Sequence, residues 1–251
     1  MNILIIDGWT TSGNDDHGRA GCKTQAELIK DLVNAVVPEA HTTIIDSNTD
    51  RSPDKLVTED YAAAIWSGGG GNIYVNNAHN RHQLALCETV LSEVPKIWGS
   101  CWGLQVLVSV CGGKVSPSAT PEIGIATDIS YRMDLSASSI YRGKDTPFDA
   151  PAHHYDEVLV LPDSFDIVAE NANTLQAVAS KDGRIFCTQY HPELPYDYLR
   201  QLLAYWAVNY QSLFSQAEFE ILLRTLEDKE RIEHESRSLE IRNWLTSLLQ
   251  S

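Results

Sequence analysis

The segment Ile97-Trp98-Gly99-Ser100-Cys101-Trp102-Gly103-Leu104-Gln105 constrains this chain more than any other. A short apolar run ends in Gly-x-Cys-x-Gly and passes directly into a helical run, Leu104 to Val110. This is the cysteine form of a nucleophile elbow, in which a strand turns sharply into a helix. Glycines flank such a turn because its dihedrals are strained and its two arms pack closely. The turn lifts sulfur clear of the sheet and sets it at a helix N-terminus, where the dipole favours the attacking thiolate. Free cysteine is also among the most commonly buried residues, so the motif alone leaves a purely structural role open.

The surrounding sequence is consistent with a strand-to-helix architecture. Through the first 110 residues, short apolar runs alternate with amphipathic stretches, the pattern of βα units around a parallel sheet. The spacing predicts strands at Asn2 to Ile6, Thr42 to Asp46, Ala62 to Trp66 and Lys96 to Gly99. Crossover helices are expected at Gln25 to Val36 and His79 to Leu91, each with apolar residues at helical spacing. From Gly112 to Tyr190 the texture becomes β-rich: Ile123 to Ile129, Val158 to Leu161, Asp166 to Ala169, Leu175 to Ala179 and Arg184 to Gln189. Several of these read as antiparallel strands extending the sheet, with the last returning to its centre. A helix is expected over 195–210, and the remainder reads as a helical tail broken in its polar middle, Glu227 to Ser238.

A nucleophilic thiol needs a base, and that base must come from a distant part of the chain. Tyr190-His191-Pro192-Glu193 supplies one at the end of an expected strand. Pro192 pushes His191 toward extended geometry and so holds the imidazole rigidly. In an extended segment residues i and i+2 share a side, which lets Glu193 bond the ring and set its tautomer.

Composition narrows the function. A formal net charge of -15 argues against nucleic acid or an anionic membrane as a partner, since phosphate binding needs clustered Lys and Arg. The opening run Met1 to Asp7 carries no basic region and is too short for a signal core or a membrane span. Five scattered cysteines suggest neither a disulfide framework nor a zinc site, so a cytoplasmic setting is expected. Gly13 to Ala20 imitates a phosphate loop but lacks its Lys and its Ser or Thr, and reads as a long polar loop (9–21) gating acceptor access. His79-Asn80-Arg81-His82 and the His153-His154 pair offer no third ligand, so no metal is expected.

The elbow and His-Pro-Glu, in this order, resemble class I (triad-type) glutamine amidotransferases, particularly the amidotransferase domain of GMP synthetase. Ser67-Gly68-Gly69-Gly70-Gly71, Gly112-Gly113, Glu122-Ile123-Gly124 and His153-His154-Tyr155-Asp156-Glu157-Val158 extend the resemblance over roughly residues 1–210. It implies a catalytic triad of Cys101, His191 and Glu193. It further implies an oxyanion hole from Gly69 or Gly70 and Trp102, and a glutamine site using Gln105, His154 and Asp156. Two departures bear on the substrate: His153 stands where the family has Ser, and the glycine loop continues Gly-Gly-Asn where the family usually has Gly-Gly-Pro.

The expected fold is therefore an α/β, flavodoxin-like open sheet, mostly parallel, with helices on both faces. Residues 1–212 would form an amidotransferase domain and 213–251 a helical C-terminal extension. The expected chemistry is hydrolysis of the glutamine side-chain amide through a γ-glutamyl thioester, with no cofactor. By resemblance, the ammonia would pass to a separate ammonia-accepting synthetase or ligase. The alternatives are a stand-alone γ-glutamyl hydrolase or transferase acting on another γ-glutamyl amide, and an inactive regulatory binding module.

Overall fold

The computed structural model describes residues 1–46 and 60–250. Apolar β-rich runs zip into nine strands: β1 (Asn2–Gly8), β2 (His41–Asp46), β3 (Ala63–Gly69), β4 (Ile97–Ser100), β5 (Lys114–Tyr131), β6 (Phe148–Val160), β7 (Phe165–Glu170), β8 (Leu175–Ser180) and β9 (Ile185–Thr188). They form one sheet in the order β2-β1-β3-β4-β9-β8-β7-β5-β6. From β2 to β9 the neighbours are parallel, and beyond β9 every ladder is antiparallel.

Apart from the edge strand β2, the parallel strands are buried on both faces, as helices on both sides require. Alternation along β1 shows how. Ile3 and Ile5 join a cluster with Ile29 and Val33 of α2 (Gln25–Val36), while Leu4 and Ile6 join Leu86 and Val90 of α3 (Ala78–Glu93) and Leu104 and Leu107 of α4 (Trp102–Val110). Thr24 starts α2 with a full capping box, and Asn77 caps α3 through its side chain.

Loop 9–21 departs from expectation, because Thr11–Arg19 is a helix, α1, capped by Thr10. Gly13, Asn14, Asp15, Asp16 and Gly18 are poor helix formers, so tertiary packing supplies what local propensity lacks. His17 is fully buried against the rings of Trp9, Tyr198 and Trp206.

The C-terminal part of the chain consists of α5 (Tyr196–Tyr205), α6 (Gln216–Glu233) and α7 (Leu239–Ser247), with 3₁₀ turns at Ala207–Tyr210 and Ser236–Ser238. α5 and α6 share a small apolar cluster with Ile123 of β5. α7 reaches the main core, where Trp244 packs on Trp98 with ring centroids 5.6 Å apart. Beside it, Lys144 and Glu240 form a buried ion pair at 2.7 Å. No helix among the described residues is long and apolar enough to cross a membrane.

Candidate active site

The C-terminal ends of β1, β3, β4 and β9 come to one edge of the sheet, where open α/β sheets bind their ligands. Cys101 lies there between β4 and α4, with φ 49° and ψ −96°. A non-glycine residue takes such dihedrals only when its surroundings enforce them. Here the Cys101 N–H donates to the Thr188 carbonyl at 2.7 Å, and its own carbonyl accepts from Gln105 at 3.1 Å. The flanking glycines are needed for close approach. A Cβ on Gly99 would come within 2.8 Å of the Gly103 backbone, and one on Gly103 within 2.8 Å of the Trp66 carbonyl oxygen.

His191 is placed by a backbone bond from its N–H to the Pro151 carbonyl, 2.8 Å, and its ring Nδ1 lies 2.8 Å from Glu193 Oε1. Burial alone would push the imidazolium down. The charges and hydrogen bonds of Glu193 and Cys101 outweigh it and raise His191 to about 10. The second carboxylate oxygen of Glu193 accepts from Ser100 Oγ at 2.9 Å, and Ser100 Oγ accepts from the Trp98 indole N–H at 3.0 Å. Gln189, wholly buried, donates its amide to Cys101 Sγ at 3.6 Å.

Above the sulfur is a cavity of about 340 Å³. It is lined by Gly69, Gly70, Trp102, Gln105, His154 and Asp156 together with Trp9, Gly71, Asn72, His153 and Tyr155. The structure thus gathers every residue read from the sequence as oxyanion- or substrate-binding around one space. Trp102 opens α4, and the first N–H groups of a helix have no intrahelical acceptor. Gly69 has to be glycine, since a Cβ would meet the Gly8 oxygen at 2.5 Å and Trp102 Cγ at 2.6 Å.

His154 is held from behind: Nε2 lies 2.9 Å from Glu122 Oε2, and Nδ1 is 3.0 Å from the Asp156 carbonyl. Burial pushes Glu122 up, but hydrogen bonds from His154, Asn171 and Asn173 hold it below the usual carboxylate range. Asp156 accepts from Asn72 Nδ2 at 2.9 Å and from the Tyr74 hydroxyl at 3.1 Å. Both donors are neutral side chains. His153 bonds the Tyr210 hydroxyl at 2.9 Å through Nε2. Burial and the neighbouring His191 charge depress its pKa to about 3, so it is neutral.

Sequence reasoning missed the parts played by Ser100, Gln189 and Trp9. Gln189 had a signal, because it precedes His191 by two on an extended run and therefore shares its side. Among the described residues no group of His, Cys, Asp and Glu is arranged to hold a metal ion, and His79 stacks on the Trp102 ring instead.

A family model for glutamine amidotransferase class-I matches residues 25–197. The chain is 28% identical over 204 residues to a γ-glutamyl-L-1-hydroxyisopropylamide hydrolase of Pseudomonas, covering 77% of this chain and 68% of that protein. It is 33% identical over 147 residues to one of the subunits of the glutamine-hydrolysing GMP synthase of Sulfurisphaera tokodaii, covering 57% and 74%. Against the GMP synthase of Chlorobium limicola, 31% identical, it spans only 33% of the longer protein. A glutamine amidotransferase structure from Thermotoga maritima superposes with a TM-score of 0.69 at 17% identity, covering 100% of this chain and 99% of that one, which is a likeness of fold.

Proposed function

Because the chain belongs to the class-I glutamine amidotransferase family, we propose that it cleaves γ-glutamyl amide bonds, glutamine included, through a thioester on Cys101. One observation carries the reading: His191 is locked to Glu193 at 2.8 Å and raised to about 10 by Glu193 and Cys101. At neutral pH the imidazole is therefore protonated in the resting site, ready to act first as an acid.

The Cys101 thiolate attacks the amide carbon. The developing oxyanion is met by the Trp102 N–H and by the glycine loop at Gly69 or Gly70, where fixed donors act most strongly. As the C–N bond breaks, His191 gives its proton to the leaving amine, leaving an acyl-thioester on sulfur. Acylation removes the negative charge on sulfur that helped to raise His191. The neutral ring then takes a proton from water, which attacks the thioester and releases glutamate. Glu193 keeps the ring oriented throughout, and Asp156 receives the substrate ammonium beside Gln105 and His154. All five cysteines are free, consistent with the proposed cytoplasmic setting.

A second reading makes glutamine the main substrate and hands the ammonia to a separate synthetase or ligase. It is favoured by Tyr74, which is 48% exposed yet bonds Asp156, so a protein docked on Tyr74 would act directly on the head-group site. A panel of glutamine and substituted γ-glutamyl amides, assayed with the purified chain, tests the proposal. Turnover of at least one member is expected, with Cys101→Ala inert. Activity that survives Cys101→Ala would reject it.

A further inference from the structure

The space above Cys101 has to hold the γ-glutamyl group and the leaving amine together. At about 340 Å³ it falls in the range, roughly 300–1,000 Å³, of pockets that enclose ligands larger than free glutamine. Beyond the triad, the oxyanion donors and Asp156, its lining includes the rings of Trp9, His153 and Tyr155 beside the neutral side chains of Asn72 and Gln105. Trp9 lies across Gly70, where an added Cβ would come within 2.8 Å of the indole. Trp206 backs Trp9, with centroids 6.1 Å apart, and stacks on His153 at 6.0 Å and 27°. The His153 carbonyl oxygen is 3.9 Å from Cys101 Sγ, so this wall begins at the nucleophile.

The wall is also uncharged. His153, which lines the cavity, and His17, packed on Trp9 and Trp206, are both depressed by burial, to about 3 and about 4. Among the described residues lining the cavity there is no Lys or Arg. His154 has both ring nitrogens committed to Glu122 and the Asp156 carbonyl, and His191 faces Glu193 and Cys101. A leaving group bearing a carboxylate would find no free cation among the described lining residues. One bearing hydrocarbon would find rings to pack against.

We propose that the space between Trp9 and His153, backed by Trp206, is a leaving-group subsite that selects γ-glutamyl amides of amines with a compact apolar or aromatic substituent. Free glutamine and γ-glutamyl peptides are the disfavoured substrates. The inference rests on the γ-glutamyl amide reading above. Its reaction consumes one water: the amide C–N bond breaks, the acyl group becomes glutamate, and the amine leaves with the proton from His191.

The test compares kcat/KM for γ-glutamyl isopropylamide, γ-glutamyl benzylamide, glutamine and γ-glutamylglycine. The apolar amides are expected to exceed both others by about tenfold or more, the scale on which hydrophobic pockets discriminate. Trp9→Ala should collapse that ratio. Tyr155→Arg, on the half-exposed rim of the cavity, should raise γ-glutamylglycine about tenfold by adding the missing cation, and it decides the matter if Trp9→Ala fails to fold. Cleavage of all four within a factor of about two, or a preference for glutamine or the peptide, overturns the subsite while leaving the Cys101 chemistry intact. Failure to cleave any of them overturns both.

Discussion

Ser100 ties the third member of the triad to the core. It donates to Glu193 Oε2 and accepts from Trp98, so with His191 on Oε1 both carboxylate oxygens are fixed. Ser100→Ala removes a hydrogen bond to a charged acceptor, about 1.5–3 kcal/mol. If even half of that restrains Glu193 in the transition state, kcat/KM falls about four- to thirteenfold, as steady-state kinetics on the best γ-glutamyl amide would show. An unchanged value would mean Glu193 needs no second anchor. The pH profile probes the same carboxylate. His191 is raised, so its acidic form is lost as pH rises through about 10, and the alkaline limb of activity should lie there. Glu193→Gln removes the largest influence raising that pKa, and the limb should move to lower pH. The raised value also stabilises the fold below the unfolded imidazole value of about 6.5, a contribution lost as pH rises through about 10.

At the scale of elements, α7 and the turn before it support the site through the core. Trp244 packs on Trp98, whose indole holds Ser100, and Arg237 just before α7 donates to the Pro192 carbonyl at 3.2 Å. Trp244 is nearly buried, so Trp244→Ala should cost about 3–5 kcal/mol in chemical denaturation. A loss below about 1 kcal/mol would show that α7 is not part of the core. The parallel strands, α2 and α3 were legible because each is a continuous apolar run or a clear amphipathic stretch. β5 and β6 were legible only in fragments. Pro117, Pro121 and Pro151 interrupt their pattern, and their ladder shifts register between Pro117 and Glu122. α1 was hidden because its stability comes from burying His17 among rings brought from residues 198 and 206. For the same reason Cys101, His191 and Glu193 could be read from motifs, while Trp9 and Ser100 acquire their roles only by contacts across the fold.

For the molecule as a whole, the thioester chemistry requires that segments about ninety residues apart meet at one sulfur. The antiparallel half of the sheet turns β9 back to the centre, beside β4, and so delivers His191 to Cys101. We propose residues 1–212 as the unit that carries this chemistry, with 213–251 as an extension bracing it through α6 and α7. The most direct measurement is covalent trapping: the folded protein is treated with the γ-glutamyl-like electrophile diazo-oxo-norleucine and the adduct is mapped by mass spectrometry. One adduct on Cys101, absent from Cys101→Ala and lost when glutamate is present in excess, is the predicted result. Folded protein that carries no label at Cys101, or carries it on Cys22 or Cys111 instead, would contradict the account.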